Sequence, residues 1–153
     1  DQTRGGGIIN RRVYYLFRFG KIFIPDLFDL TFPPVHLREE DILVDGDDDE
    51  ILKSIGIDGK ILYTPGHTID SISVLMDDDR IFCGDAAMNF GLWLGMKYHT
   101  IFITDLDQYY RSWEKIMEYG AKKLYPSHGK PFGIDRLKEN LGEYDPDSLV
   151  EFF

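Results

Sequence analysis

Three short loops carry side chains that could bind a metal ion. The first is "TPGHT" with His67, the second is "CGDAA" with Asp85, and the third is "YPSHGKP" with His128. In each loop a β-rich run ends, and a neighbouring Gly or Pro lets the backbone turn sharply at the edge of a sheet. Imidazole and carboxylate are ligands that zinc, iron and manganese accept. We therefore predict that these three side chains converge on metal.

Two of these loops flank an apparent β-hairpin. The runs "KILYT" and "SISVLM" are apolar or β-branched, "DDD" at 77–79 forms a tight turn to a third run, "RIFC", and Gly, Pro and Asp bound all three. This pattern predicts a β meander over residues 61–83. His67 and Asp85 stand at its loop ends, where a sheet can direct both side chains to one point.

The remaining elements are predicted from helical spacing and stop signals. Asp105 is a good N-cap for a helix that Gly120 ends, "KKLYPSHG" indicates a strand entering a loop, and "IDRLKENLG" indicates a last helix. The aromatic stretch near residues 8–19 predicts a helix that packs in the core or covers a site, followed by a loop or a short helical turn up to Pro33. The run "DGDDDE" predicts a surface loop, and residues 85–100 a long loop with apolar anchors. The predicted class is α/β, in the α+β sense, with helices outside a mixed sheet.

The phrase "ILYTPGHTIDSISVLMDDDRIFCGDAAM" followed by "KKLYPSHGKPF" resembles the second half of the metallo-β-lactamase fold, an αββα superfamily of metal-dependent hydrolases. The resemblance covers most of residues 36–142. It implies that His67 ligates one metal, that Asp85 bridges two metals and is catalytic, and that His128 ligates the second. The implied ions are two divalent metals, zinc first, with iron or manganese as alternatives. The implied reaction is attack by a metal-activated water on an ester, thioester, lactone or related bond of a small molecule.

One part of the family pattern is absent. Members carry an earlier His-x-His-x-Asp-His signature, whereas the other histidines here, His36 and His99, lack suitable neighbours and are predicted to be structural. Exchange of segments between identical copies could not supply the signature. The chain is therefore expected to be the carboxyl-terminal part of a longer hydrolase, which the missing initiator methionine favours. The alternative is a natural protein that lost half its site and binds without catalysis. In either case this chain alone is expected to hold one ion or none.

The residues that flank the predicted ligands allow two interpretations each. Thr64, Thr68 and Ser127 could orient the imidazole N–H groups, or they could make turn hydrogen bonds. Cys83 is predicted to be a core residue and not a ligand. The loop after Asp85 contains three large side chains, Trp93, Met96 and Tyr98. They could form a wall for an apolar part of the substrate, or they could anchor the loop.

Composition limits the partners. The 153 residues suit one domain, here 1–153, divided into an aromatic helical or lid segment, 1–35, and a metal-site core, 36–142. With 17 basic and 27 acidic side chains the net charge is −10, which disfavours nucleic acid and anionic membranes and leaves a small-molecule substrate. A single cysteine and no long apolar run predict a cytoplasmic protein. A homodimer, or association with the missing amino-terminal portion, is expected.

Rival functions follow from the same ligands. β-Lactam hydrolysis is disfavoured, because the periplasmic enzymes that share this fold usually have Cys where this chain has Asp85. A diiron redox protein is one alternative, since His and carboxylate also suit iron. A non-catalytic binding module is the other, and it predicts little metal and no turnover.

Overall fold

A computed structural model of the chain describes residues 7–20, 36–143 and 149–152. The eight strands within these ranges are β1 Gly7–Asn10, β2 Gly59–Tyr63, β3 Ile72–Met76, β4 Arg80–Gly84, β5 Phe102–Ile103, β6 Lys123–Pro126, β7 Phe132–Gly133 and β8 Leu149–Phe152. The α-helices are α1 Arg11–Gly20, α2 Ile51–Ser54, α3 Leu106–Glu118 and α4 Asp135–Asn140, and a short 3₁₀ helix spans Leu92–Leu94. None of the described helices is long and apolar enough to cross a lipid bilayer.

The larger sheet has the strand order β2-β3-β4-β6-β7. The predicted meander is present, because β2, β3 and β4 pair antiparallel in sequence. The β4–β6 pair is parallel and the β6–β7 pair is antiparallel, so the sheet is mixed, as predicted. The parallel pair brings the carboxyl ends of β4 and β6 side by side. Asp85 and His128 therefore leave the same edge of the sheet.

Helix α3 covers one face of this sheet. Asp105 caps the helix by accepting a hydrogen bond from the Gln108 N–H at 2.9 Å, and Gly120 follows its end at φ +80°, as the sequence predicts. The buried Trp113 packs in the main core and donates its indole N–H to the Ala86 carbonyl at 2.6 Å. Leu75, Ile81 and Leu124 supply the sheet side of that core. The helix therefore holds the segment directly after Asp85 against the core.

The smaller sheet corrects one prediction. A helix was expected near residues 8–19, but residues 7–10 form strand β1, which pairs with β5 and β8. The helix begins only at Arg11, because the Asn10 side chain accepts a hydrogen bond from the Arg12 N–H at 3.0 Å and so caps it. Val13 is buried, whereas Tyr15 and Phe19 are exposed, so α1 packs by one side. The loop predicted up to Pro33 lies outside the described residues.

Two predicted loops are present with different kinds of anchor. Residues 85–101 are irregular except for the 3₁₀ turn, and Met88 and Met96 are buried in a small cluster with Ile9 and Val13. In the acidic loop before α2, Asp47 pairs with Lys115 at 2.9 Å and accepts the Tyr63 N–H at 2.7 Å. The acidic loop is thus tied to helix α3 by an ion pair at the surface.

His99 is a core residue, as predicted. It is only 1% exposed, its Nδ1 lies 2.9 Å from the Met96 carbonyl, and its ring stacks on Trp113 at 4.7 Å between centroids. Tyr110 contributes its hydroxyl at 3.0 Å from Nε2. Burial lowers the pKa of His99 from its ordinary 6.5 to about 4.

This shift predicts an acid-sensitive core. Between about pH 6.5 and pH 4 the unfolded state binds a proton at His99 that the folded state does not bind. The free energy of unfolding is therefore highest above about pH 6.5 and decreases as the pH falls toward 4. The expected loss in the free energy of unfolding is about 3 kcal/mol. Urea titrations between pH 4 and pH 7 measure it. His99→Gln should flatten this slope, whereas His36→Gln, at an exposed histidine, should not; an unchanged slope in His99→Gln would refute the assignment.

Candidate metal centre

Asp85 lies between the two predicted histidine ligands. Its Oδ2 is 3.6 Å from Nε2 of His67, and its Oδ1 is 3.7 Å from Nε2 of His128. Each carboxylate oxygen therefore has its own imidazole, and the two imidazoles approach from separate loops. The structure thus brings together the three side chains that the sequence singled out, although they are far apart along the chain.

His67 is held in one orientation. Its Nδ1 lies 2.7 Å from the Phe102 carbonyl oxygen in β5. Because a carbonyl oxygen only accepts, Nδ1 is the nitrogen that carries a proton in this contact, and Nε2 is the nitrogen that faces Asp85. A partner of this kind on the far nitrogen is what orients metal-binding histidines. The role of Phe102 cannot be predicted from the sequence, because every residue has a backbone carbonyl.

Gly66 places the His67 loop directly on helix α3. Its carbonyl accepts hydrogen bonds from the Thr104 N–H at 2.8 Å and the Asp105 N–H at 3.1 Å. Its backbone has φ +131°, and a Cβ at this position would overlap the backbone of Tyr109, lying 2.5 Å from its nitrogen. Only glycine fits this combination of conformation and close approach. The sequence signal "PGH" therefore reflects a contact with the helix as well as a turn.

The His128 loop is anchored to the segment that carries Asp85. The Ser127 N–H donates to the Gly84 carbonyl at 3.0 Å. Asn89 bonds the backbone of Lys130 at both its N–H and its carbonyl, each at 2.7 Å. Sequence analysis did not select Asn89, since an amide in a loop carries no distinctive chemical pattern.

The site fits a cation. Oδ1 of Asp85 is buried and has no hydrogen-bond partner among the described residues, which is costly for a carboxylate oxygen. Neither His–Asp distance is a hydrogen bond, yet two ligands on one tetrahedral ion lie about 3.4 Å apart. Within the described part of the chain, no three His, Cys, Asp or Glu side chains are placed so that they could hold one metal ion together. The two oxygens of Asp85 instead face one imidazole each.

Among the described contacts, the three residues predicted to orient the imidazoles make hydrogen bonds to other groups. The Thr64 and Ser73 hydroxyls are 2.8 Å apart, and the Thr68 and Ser71 hydroxyls are 2.7 Å apart. Ser127 acts through its backbone N–H, as described above. The described partner of the His67 Nδ1 is the Phe102 carbonyl. The prediction that Thr64, Thr68 and Ser127 orient the imidazoles stays a prediction.

The three predicted wall residues differ in exposure. Trp93 is 73% exposed, whereas Met96 is 2% exposed and packs against Met88 in the small cluster. Tyr98 is half-buried, with its ring 4.8 Å from that of Phe132. Trp93 alone of the three presents most of its surface to solvent, and Met96 and Tyr98 anchor the loop.

Cys83 remains outside the ligand set. It is 1% exposed, and burial raises the pKa of its thiol to about 12. A thiol that stays protonated is a poor metal ligand and a poor nucleophile. This agrees with the prediction of a core residue.

The family model described as "Metallo-beta-lactamase superfamily" matches residues 7–128. The chain belongs to the metallo-beta-lactamase superfamily. Members of this superfamily typically bind metal ions and include hydrolases, which agrees with the chemistry of the His67, Asp85 and His128 side chains.

Superfamily relatives extend the similarity along most of the chain. A Drosophila melanogaster protein named beta-lactamase-like protein 2 homolog is 24% identical over 147 residues, which is 90% of this chain and 44% of the relative. A hydroxyacylglutathione hydrolase from Francisella tularensis subsp. novicida is 37% identical over 96 residues, which is 61% of this chain and 36% of the relative. The chain thus spans less than half the length of either relative.

A solved superfamily structure shares the fold. The archaeal metallo-beta-lactamase superfamily protein from Sulfolobus tokodaii superposes with a TM-score of 0.51 at 22% identity. The match covers 85% of this chain and 50% of that protein. The α/β class with a mixed sheet, predicted from the sequence, is therefore confirmed as the metallo-beta-lactamase fold.

Proposed function

We propose that this chain carries half of a two-metal hydrolase site that cleaves an ester, thioester, lactone or related bond of a small molecule. The observation that carries the proposal is the separate imidazole facing each oxygen of Asp85. A carboxylate with a histidine at each oxygen suits two ions bridged by that carboxylate. Zinc fits these ligands best, and iron or manganese are alternatives.

Each residue has a distinct task in this proposal. His67 and His128 would each hold one ion, and Asp85 would bridge the pair. Divalent ions held by these residues would supply two effects: a lower pKa for a bound water, from 15.7 toward about 7, and polarisation of a substrate carbonyl oxygen. The Phe102 carbonyl keeps the His67 proton on Nδ1, so that Nε2 stays free to bind. The name of the Francisella relative, hydroxyacylglutathione hydrolase, supports an acyl derivative of a small molecule among the candidate substrates.

Counting bound ions tests the assignment. Native mass spectrometry of the zinc-treated chain should show that His67→Ala and His128→Ala each lose the ion next to the replaced histidine, and that Asp85→Ala loses all specific zinc. If this chain alone retains a single ion, one histidine variant should abolish binding and the other should leave it. Wild-type zinc content in Asp85→Ala would contradict the bridging role.

The identity of the metal separates hydrolysis from the redox alternative. The hydrolase that includes the proposed amino-terminal portion, purified from cells grown with balanced zinc, iron and manganese, should contain zinc and should cleave a chromogenic thioester. Iron with an absorption band that bleaches on reduction would favour the diiron protein instead. Absence of both metal and turnover would favour the non-catalytic binding module.

Trp93 should affect substrate more than stability. Because its side chain is 73% exposed, Trp93→Ala should change the free energy of unfolding by less than about 0.5 kcal/mol. It should raise KM for a thioester with an aromatic acyl group several-fold, with a smaller change in kcat. Met96 lies in the same loop but is buried, so Met96→Ala should lower the free energy of unfolding by about 3 kcal/mol. An unchanged KM in Trp93→Ala would remove this residue from the proposed wall.

The open face of the larger sheet supports a proposal about the partner. Val74, Phe82 and Tyr125 stand opposite one another across β3, β4 and β6, on the face away from helix α3. Phe82 is 46% exposed and Ile72 is 43% exposed. Exposed apolar side chains in the middle of a sheet face are typical of a sheet that is covered on both sides. We infer that the amino-terminal portion of a longer hydrolase packs here and supplies the remaining metal ligands.

The coding sequence upstream of Asp1 tests this inference. A His-x-His-x-Asp-His signature encoded there in frame is the expected result. Its absence, together with a concentration-dependent dimer in light scattering that Phe82→Ser abolishes, would favour a second copy of this chain on the same face. The cytoplasmic location predicted from the lone cysteine goes with this proposal and stays a prediction.

A further inference from the structure

The loops that carry Asp85 and His128 are joined by one amide side chain. Nδ2 of Asn89 donates to the Lys130 carbonyl at 2.7 Å, and Oδ1 accepts the Lys130 N–H at 2.7 Å. The amide thus satisfies both backbone groups of Lys130, as a neighbouring strand would. Lys130 lies two residues after His128.

A second anchor lies on the other side of His128. The Ser127 N–H donates to the carbonyl of Gly84, the residue before Asp85. His128 therefore sits between two anchors, and both come from the segment that contains Asp85. Gly129 between them has φ +107°, and a Cβ there would overlap Oδ1 of Asn89. The backbone of the loop packs directly on the amide.

This anchoring matters because the His128 ring has little else to hold it. Its side chain is 60% exposed, and within the described ranges its ring makes no hydrogen bond. His67, in contrast, is 23% exposed and is held by the Phe102 carbonyl. The position of the His128 imidazole opposite Asp85 therefore depends on the backbone of its loop.

We propose that Asn89 is a positioning residue that fixes the loop over residues 127–130 and so holds His128 opposite Oδ1 of Asp85. The inference rests on the proposed function only where it concerns metal binding. Neither the similarity to relatives nor the ligand pattern identifies Asn89. Its effect passes through the loop backbone to the imidazole.

Nuclear magnetic resonance of the whole chain can test both steps. In Asn89→Ala, hydrogen exchange of the Lys130 amide should rise at least tenfold, because its acceptor is gone. During a titration with zinc alone, the His128 imidazole signals should need roughly tenfold more zinc, whereas those of His67 should respond as in the wild type. Asn89→Asp keeps the hydrogen-bond acceptor and loses the donor. Its exchange rate at Lys130 and the zinc concentration needed at His128 should therefore lie between those of the wild type and Asn89→Ala.

Matched variants and the metal-free protein make every outcome decisive. Asn140→Ala, which removes an exposed Asn bond to the Arg136 carbonyl, should change neither readout. Unchanged His128 signals and zinc response, despite faster exchange at Lys130, would overturn the positioning role. Unchanged exchange at Lys130 would also overturn it. If zinc moves neither histidine in the wild type, the proposed function fails; the inference then stands if Asn89→Ala shifts or broadens the metal-free His128 signals, and falls if it does not.

Discussion

Gly66→Ala is expected to be the most damaging single substitution for the fold around the site. The new Cβ would overlap the Tyr109 backbone in the first turn of α3, and residue 66 would keep φ +131°, which an L side chain rarely adopts. Conformational strain and overpacking together should cost about 4 kcal/mol of the free energy of unfolding. Because domains of this size have about 5–15 kcal/mol in total, the loss is severe. Chemical denaturation followed by tryptophan fluorescence measures it.

Gly120→Ala provides the matched control for this prediction. Gly120 also has a positive φ, +80°, but a Cβ there meets nothing within 4 Å. Gly120→Ala should therefore lower the free energy of unfolding by the conformational cost alone, about 1–2 kcal/mol. Equal losses in the two variants would mean that the contact between Gly66 and α3 does not position the His67 loop.

Asp85→Asn is expected to abolish metal binding without harming the metal-free fold. The buried Oδ1 has no donor among the described residues, so removing its negative charge removes a desolvation cost. The metal-free variant should be as stable as the wild type or more stable by about 1 kcal/mol. Its affinity for zinc should fall at least 100-fold, because an amide bridges two cations poorly. Urea denaturation with and without zinc measures both effects.

Asp70→Asn is the control for charge. Asp70 is an exposed carboxylate in the His67 loop, and its replacement should leave stability and zinc affinity unchanged. Zinc at 100 times the wild-type Kd should stabilise the wild type by about 2.7 kcal/mol, and should stabilise Asp85→Asn by no more than about 0.4 kcal/mol. A large loss of stability in metal-free Asp85→Asn would show that Asp85 serves the fold and not a metal.

The parts of the fold that the sequence predicted are those with local signals. The cap at Asp105 and the stop at Gly120 define helix α3, and the tight turn at 77–79 defines the β meander. Strand β1 was missed because it depends on a distant partner: Ile8 pairs with Ile103. A four-residue strand followed directly by a helix looks like one apolar helical run until its pairing is known.

In the site, the residues that could be predicted from the sequence are those whose side chains are of types that bind metal ions. His67, Asp85 and His128 could be selected because imidazole and carboxylate beside Gly are recognisable. Phe102 acts through its backbone carbonyl, which every residue possesses, and Asn89 acts through the backbone of Lys130. Their contributions depend on which segments the fold brings together. Supporting contacts of this kind become visible only in the structure.

Anomalous scattering at the zinc absorption edge, from crystals of the chain grown with zinc, would show whether a metal binds beside His67, Asp85 and His128. Zinc should lie roughly 2.0–2.2 Å from Nε2 of His67 and from an oxygen of Asp85, with His128 next to the second oxygen as ligand of a further ion. Zinc found only elsewhere, such as at His36 or in the acidic loop before α2, with Asp85 free of metal, would contradict the account.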